Sequence, residues 1–541
     1  MKKIVLSLLL LMSFVGFAQE DAWVYFTNKP DAATYLANPT TMLTQKALNR
    51  RTAQNIPLDV KDVPIFPSYI TQISNATGIT VMAKSKWLNA LHIRGSIANI
   101  QLLSSFAFVS SIEYADKTLN ANANASAKSA KTVHLQKVHK NLETQINFAY
   151  GNSNNQIQML GGHLLHQQNY TGIGKTIAVM DAGFPGVDTA VPFQRLFTNN
   201  LILGGYDFVN QSTNFYTGGT HGTLVLSTMG GYLENSLVGT APDAAYYLFI
   251  TEDIANENPV EESYWVQAAE EADRLGVDII TTSLGYFDYD NPNYSYTYEN
   301  MDGVTSFASR GADIAFSRGI ICVTSAGNSG STADPHITVP AEAITTLAVG
   351  AVNAAGLYAS FSSIGPSFDG RVKPDVVAQG VQAVVSNPSG AIGLANGTSF
   401  SGPITSGMVA CLWQALPTKT NAQIIQIIKQ SSSLFANPTP QLGYGIPNYN
   451  NALLSALDVK TTDKSLFTIY PNPVNDFLNI NSDVILTDTY IEIFSALGQR
   501  VLEIKPDSGL ISIPVSHLSS GVYFCRIYSE SSQVTQKFIK R

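Results

Sequence analysis

The apolar positions along the chain fall into stretches of different periodicity. Residues 4–17 are a mainly apolar run directly behind Lys2 and Lys3. Residues 23–116 are mixed: 79–82 and 109–113 read as strands, with an apolar stretch around Trp87-Leu88. From about Tyr150 to Asp458, short runs that are apolar at successive positions (176–180, 279–280, 319–323, 345–352) alternate with segments of helical spacing. Strands without polar alternation are buried on both faces, as in a parallel sheet joined by helical crossovers. Residues 260–275 place Trp265, Ala268, Ala272 and Leu275 on one helix face, and Gly276 stands where the helix would end in a left-handed turn. Behind Ser399, Ile404, Met408 and Leu412 recur at i+4, with Cys411 and Ala415 beside them, until Pro417 stops the helix. Beyond about 466 the runs 467–470, 491–494 and 522–525, punctuated by Pro471, Pro473, Gly498 and Gly521, predict a compact sandwich of about seven strands. The expected fold is α/β, a parallel sheet flanked by helices, with a small α+β domain before it and an all-β domain behind it.

Composition adds a cellular setting. At 541 residues the chain is long enough for two to four domains. Charged residues make up only 13%, with Asn, Gln, Ser and Thr in their place, as is common in exported proteins. The net charge of −8 offers no basic surface for nucleic acid. Lys2 and Lys3, the short apolar run and Gly16-Phe17-Ala18 together read as a signal peptide cleaved after Ala18. That run is too short to span a bilayer, and no other segment approaches 18 uninterrupted apolar residues, so no transmembrane helix is expected. Three cysteines, Cys322, Cys411 and Cys525, make no disulfide framework. Buried free thiols fit their surroundings, with a Cys322–Cys411 bridge as the alternative. The low-complexity stretch from Asn120 to Ser126, followed by Lys128, Lys131, Lys137 and Lys140, reads as an exposed linker open to proteolysis. A second linker falls near Thr461-Thr462-Asp463-Lys464.

Four polar residues stand at positions where chemistry gathers. Asp181 ends an apolar strand, ahead of Ala182-Gly183. Functional groups of a parallel sheet collect beyond the carboxyl ends of its strands. His221 opens a helix in His221-Gly222-Thr223, and Asn328 follows a strand in Ser325-Ala326-Gly327-Asn328-Ser329-Gly330. Ser399 lies in Gly397-Thr398-Ser399-Phe400-Ser401-Gly402-Pro403 at a helix start, where unpaired N–H groups and the dipole favour negative charge. Singly, each has an ordinary structural explanation: a turn or capping aspartate, a solvated histidine, a turn asparagine, an N-cap serine. Their order changes that reading. Asp181 precedes His221 by 40 residues and His221 precedes Ser399 by 178, an order that differs from the chymotrypsin and α/β-hydrolase arrangements.

With these segments in place, residues 150–458 resemble the subtilisin-like serine proteases. The motifs Asp181-Ala182-Gly183, His221-Gly222-Thr223, Ser283-Leu284-Gly285, Ala326-Gly327-Asn328 and Gly397-Thr398-Ser399 match that family in order, and 238–242 and 348–352 resemble its connecting segments. The resemblance implies a subtilisin-like α/β fold and a serine endopeptidase acting through an acyl-enzyme. Ser399 would be its nucleophile, His221 its base, Asp181 the residue orienting the imidazole and Asn328 a donor to the oxyanion. Ser283, Leu284, Gly285, Ser325, Ala326 and Gly327 would form two backbone edges that hold an extended protein or peptide substrate. No cofactor is implied; calcium sites are common in relatives, but no ligand set is identifiable here. Leu224, Phe400, Gly402 and Ile404 depart from common residues of the family and leave the cleft's shape open. The floor of the specificity pocket lies somewhere in 332–342.

The flanks carry resemblances of their own. Residues 19–148 resemble a subtilase propeptide with its linker, which implies a zymogen. The tail, with Tyr470-Pro471-Asn472-Pro473, Gly498-Gln499-Arg500-Val501, Gly521-Val522-Tyr523 and the terminal Lys537-Phe538-Ile539-Lys540-Arg541, resembles the sorting domains of type IX secretion. A carbohydrate-binding or generic sandwich is the alternative for the tail. The division expected is a signal peptide at 1–18, propeptide and linker at 19–148, peptidase at 149–458, linker at 459–465 and sorting domain at 466–541. Export would run through the periplasm of a Gram-negative bacterium to the medium or cell surface, and a monomer is expected. Two other classes fit the same fold: an inactive relative serving as a binding module, and a hydrolase of narrow processing function.

Overall fold

The structure is a computed structural model describing residues 19–120, 147–457, 467–482, 490–495, 499–505, 511–528 and 533–541. The expected signal peptide, most of the low-complexity linker and the linker at 459–465 lie outside the described residues. Two compact units divide at residues 457 and 458.

In the first unit, seven parallel strands form one sheet in the spatial order Val376–Gln379, Leu347–Val352, Ile321–Ser325, Ile279–Thr282, Thr176–Asp181, Ala245–Ile250, Ile202–Asp207. All but the Ala245 strand and the edge strand at Ile202 are fully buried, which is why their sequences lack alternation. Two expected strands are shifted: the one expected from Thr345 starts at Leu347, and the one expected over 319–323 moves as well. Gly319 takes a left-handed turn at φ 87°, so the strand starts at Ile321 rather than Gly319. It then continues past Val323, because Thr324 and Ser325 keep the ladder with Ala348 and Val349.

The Thr398–Ala415 helix runs against this sheet and is buried from Thr398 to Trp413. Its glycines are places of close approach. A methyl group on Gly407 would lie 2.0 Å from Thr240 Oγ1, and one on Gly402 would lie 2.6 Å from Ser325 Oγ. The three cysteines are unpaired and buried. The Cys322–Cys411 bridge is not formed; the Cys411 thiol donates instead to the Thr240 carbonyl at 3.1 Å.

The N-terminal residues form a four-stranded antiparallel sheet in the order Ile79–Ser85, Ala90–Ser96, Gln19–Phe26, Val109–Tyr114. This sheet covers the outer face of the Val260–Leu275 helix, whose polar positions are buried as a result. Ser263 accepts from Trp23 Nε1 and pairs with His92 Nδ1, both at 2.8 Å. Glu270 accepts from the Ser85 hydroxyl at 2.6 Å and from the Trp87 and Lys86 amides at 2.9 and 3.0 Å. At the helix C-terminus, Gly276 sits at φ 81°, and the Gln45–Ala53 helix lies against it. Arg50 and Arg51 both reach Asp273 there; Arg51 also bonds Asp62, and Arg318 bonds Asp59 in return.

The C-terminal unit has seven described strands in two antiparallel sheets. One holds Phe467–Tyr470, Phe477–Ser482 and Ile511–Pro514; the other holds Arg500–Ile504, Tyr490–Ser495, Gly521–Tyr528 and Gln533–Lys540. Leu478, Ile480, Ile491, Ile493, Ile513, Cys525 and Phe538 fill the core between them.

The buried ionic network gives a test. Asp273→Ala leaves two buried guanidinium groups short of their shared partner, a change that costs about 3–5 kcal/mol. The full-length protein should unfold at a clearly lower urea midpoint, whereas Glu271→Ala, which among the described residues pairs with exposed Arg274, should leave it within about 0.5 kcal/mol.

Candidate active site

The strand order reverses between Thr176–Asp181 and Ile279–Thr282: from the first the chain passes to the edge strand at Ile202, returns to lay Ala245–Ile250 between them, and then resumes on the other side. At such a switch point the loops beyond the two carboxyl ends diverge and leave a crevice. Asp181 ends one of these strands and Ser283 follows the other.

Asp181 is fully buried. Its Oδ1 accepts from the Ala182 amide at 2.8 Å and lies 2.8 Å from His221 Nδ1. His221 opens the His221–Gly230 helix, and Gly222 lets this turn approach; a methyl there would lie 2.4 Å from the Gly183 carbonyl and 2.9 Å from Asp181 Cβ. The ring is partly exposed, so one edge is fixed and the other open. The Asp181 carboxyl holds the imidazole's pKa above its ordinary 6.5, against the opposing effect of burial; the hydrogen bond and Glu252 add to the rise.

Ser399 is the second residue of the Thr398–Ala415 helix. The chain enters this helix at Gly397, whose φ of 147° suits glycine. Side chains of three other segments bond the backbone at this helix start. The Thr398 amide donates to Asn328 Oδ1 at 2.9 Å, the Ser325 hydroxyl donates to the Thr398 carbonyl at 2.7 Å, and the Ser283 hydroxyl donates to the Ser399 carbonyl at 2.9 Å. That last carbonyl is free because Pro403, four residues on, has no N–H to give it. The Ser399 hydroxyl faces the Ser283 carbonyl at 3.3 Å, and the ring of Phe400 stands 6.1 Å from that of His221.

Asn328 is oriented by its acceptor. Its Oδ1 receives both the amide and, at 3.0 Å, the hydroxyl of Thr398, so Nδ2 must point the other way. A methyl on Gly397 would lie 3.7 Å from Asn328 Nδ2 and 3.6 Å from the Ser399 amide nitrogen, so the two donors border one small space beside Ser399.

The segments at Ser283 and Ser325 flank this space at the ends of neighbouring strands. Two neighbours had not been singled out in the sequence. Glu252 follows the Ala245–Ile250 strand and accepts from the Tyr286 hydroxyl at 2.6 Å. Burial first, then neighbouring carboxyls, push Glu252 and Glu261 well above the usual carboxylate range. Thr338 joins the two flanking segments through its backbone. Its amide donates to the Ala326 carbonyl at 3.3 Å, and the next residue, Val339, exchanges hydrogen bonds with Tyr286. The acid-rich run around Glu252 is visible in the sequence, but nothing local marks Thr338. Among the described residues, no group of three or more His, Cys, Asp or Glu is placed to hold a metal ion, and no helix is long and apolar enough to cross a membrane.

Comparison with known proteins identifies the family. Residues 21–132 match the peptidase S8 propeptide domain of Bacteroidota, residues 172–449 the subtilase family and residues 468–541 a secretion-system C-terminal sorting domain. Subtilisin of Bacillus pumilus is 32% identical over 300 residues, covering 55% of this chain and 97% of that protein. Subtilisin NAT of Bacillus subtilis subsp. natto is 32% identical over 285 residues, covering 52% of this chain and 66% of that one. Among solved structures, MycP1 from Mycobacterium smegmatis is 21% identical, with a TM-score of 0.44 over 58% of this chain and 86% of that one. The chain thus belongs to the subtilase family of serine peptidases, with its propeptide in front and a sorting domain behind that marks a secreted or cell-surface protein.

Proposed function

We propose that the protein is a secreted endopeptidase that cleaves protein or peptide substrates through Asp181, His221 and Ser399. The observation that carries this reading is the Asp181–His221 pair at 2.8 Å, set beside the helix that Ser399 opens, with the His221 ring 6.1 Å from that of Phe400. Ser399 Oγ leaves the Ser283 carbonyl and attacks the scissile carbonyl carbon while its proton passes to His221 Nε2. Asp181 holds the tautomer with Nδ1–H and stabilises the imidazolium. The oxyanion sits between Asn328 Nδ2 and the Ser399 amide, at the positive end of the helix. His221 then gives its proton to the departing amine, and water resolves the acyl-enzyme by the same steps in reverse. Ser283-Leu284-Gly285 and Ser325-Ala326-Gly327 would pair with an extended substrate, reading main chain more than sequence. The scheme uses no cofactor and needs one copy of the chain. Synthesis as a zymogen and export through the periplasm by the type IX route complete the proposal.

Ser399→Ala should lower casein hydrolysis by about 10⁶-fold and Asn328→Ala should lower kcat by about 10²–10³-fold, a scale taken from subtilisin itself. Casein hydrolysis unchanged in the serine variant would rule out the peptidase and favour a binding module.

The pH profile follows from His221. Only the neutral imidazole accepts the serine proton, so kcat/KM rises as pH climbs through the raised pKa of His221. The acid limb should have its midpoint above 6.5; a midpoint near 6 would mean that Asp181 does not stabilise the imidazolium.

Terminal sequencing of the mature, active protein tests the zymogen reading. Its first residue should lie between 121 and 149, and full activity with Gln19 or Glu20 at the terminus would refute that reading.

A further inference from the structure

Where the Gln45–Ala53 helix of the propeptide meets the peptidase, a cavity of about 240 Å³ remains between them. Lys46 and Arg50 wall it from the propeptide, and Lys175, Asp278, Trp413 and Lys419 wall it from the peptidase. Arg50 is matched by Asp273. Of the three lysines, only Lys175 forms an ion pair among the described residues, with Asp278 at 3.7 Å. Asp278 is engaged further by the Thr176 amide, which donates to it at 2.9 Å. The cavity therefore holds an excess of two positive charges. The cations are fixed in place. Lys46 donates to the Thr176 hydroxyl across the interface. Lys175 Nζ stands 4.5 Å from the centre of the Trp413 ring, whose Nε1 donates to the Lys419 carbonyl at 2.9 Å. Desolvation, then Arg50 and Lys175, hold Lys46 below its ordinary 10.5 against the opposing effect of Asp278, and desolvation lowers Lys419 as well. Like charges thus face each other from the two sides of one interface, and their repulsion opposes docking unless an anion lies between them.

We propose that this cavity binds a small multivalent oxyanion of the phosphate class, held by Lys46 from the propeptide and by Lys175 and Lys419 from the peptidase, and that the bound anion locks the propeptide in its docked position. The site uses none of the groups proposed for catalysis. A phosphate dianion matches the excess charge, and its oxygens accept charge-assisted hydrogen bonds from the ammonium groups. The cavity has room for it together with a few waters of about 30 Å³ each. Chloride carries one charge only and leaves the other unmatched. Because the walls come from both sides of the interface, the complete site exists only while the propeptide is docked. An anion that binds the docked form alone favours it by a factor that rises with anion concentration over Kd. Retention of the propeptide, before and after its linker is cut, then depends on the anions of the surrounding medium.

The test uses the full-length chain carrying Ser399→Ala, so that its linker stays whole, at constant ionic strength and mildly alkaline pH, where phosphate is mainly a dianion. Titration calorimetry with sodium phosphate against a chloride background should show a single saturable site. Lys46→Met and Lys419→Met should each weaken binding about tenfold or more, the loss expected for one hydrogen bond between charged groups. Lys61→Met, which removes an exposed propeptide lysine outside the cavity, should leave it unchanged. Hydrogen exchange reads the lock itself. With phosphate at about ten times its Kd, amides of the Gln45–Ala53 helix should exchange about tenfold more slowly than in chloride, and Lys46→Met should lose that slowing at the same phosphate concentration. Absence of saturable phosphate binding overturns the inference. Binding of unaltered strength in both lysine variants does so too, because the anion then sits elsewhere. Binding without slowed exchange overturns it as well, since the anion then has no preference for the docked form. If one of these variants fails to fold, Lys175→Met and the wild-type exchange decide the matter.

Discussion

The start of the buried Thr398–Ala415 helix is the constraint on which the site depends. A helix that begins inside a protein must find partners for backbone groups its own ladder leaves unpaired. Here Asn328 meets the Thr398 amide, Ser283 meets the carbonyl that Pro403 leaves free, and Ser325 adds a bond to the Thr398 carbonyl. These same residues border the proposed oxyanion space and the two proposed substrate edges. The bonds that let the helix begin thus also set the distance between Ser399 and the groups around it. Pro403 takes part by omission, freeing the Ser399 carbonyl for Ser283. Replacing any of these residues would disturb packing and chemistry together.

The second dependence is between the propeptide and the Val260–Leu275 helix. Ser263, Glu270 and Asp273 would be ordinary solvent-facing positions if the N-terminal sheet were absent. With the sheet in place they are buried, and they are tolerated there because each has partners across the interface. Charges cross in both directions: Arg50 and Arg51 reach Asp273, while Arg318 reaches Asp59. Such pairs stabilise little beyond what they cost to desolvate, but they penalise wrong placement heavily. The network therefore specifies one docked position for the propeptide more than it adds strength.

Much of this was legible in the sequence. The 260–275 helix and its Gly276 terminus stand where the spacing put them, because period and cap chemistry are local. The strand ends at Ile321–Ser325 were misjudged because Thr324 and Ser325 are polar yet buried, their place decided by neighbours far along the chain. The polar face of the 260–275 helix was unreadable for the same reason: what covers it lies more than 170 residues earlier. Asp181, His221, Asn328 and Ser399 were nameable because each sits in a short motif, and the order of the motifs is restrictive. Thr338 has no motif. Its place beside both flanking segments comes from backbone bonds that only the folded chain makes.

The docked propeptide has one more consequence. While the chain is continuous, the N-terminal sheet meets its helix at an effective concentration in the millimolar range, whatever the protein's abundance. A single cut in the connecting segment turns that contact into an ordinary bimolecular equilibrium. Its position then depends on how many molecules share a volume. Packed together before release, cut pairs stay mated; dispersed into an open medium, they separate. Dilution itself would then set how long the cut propeptide stays on the Val260–Leu275 helix.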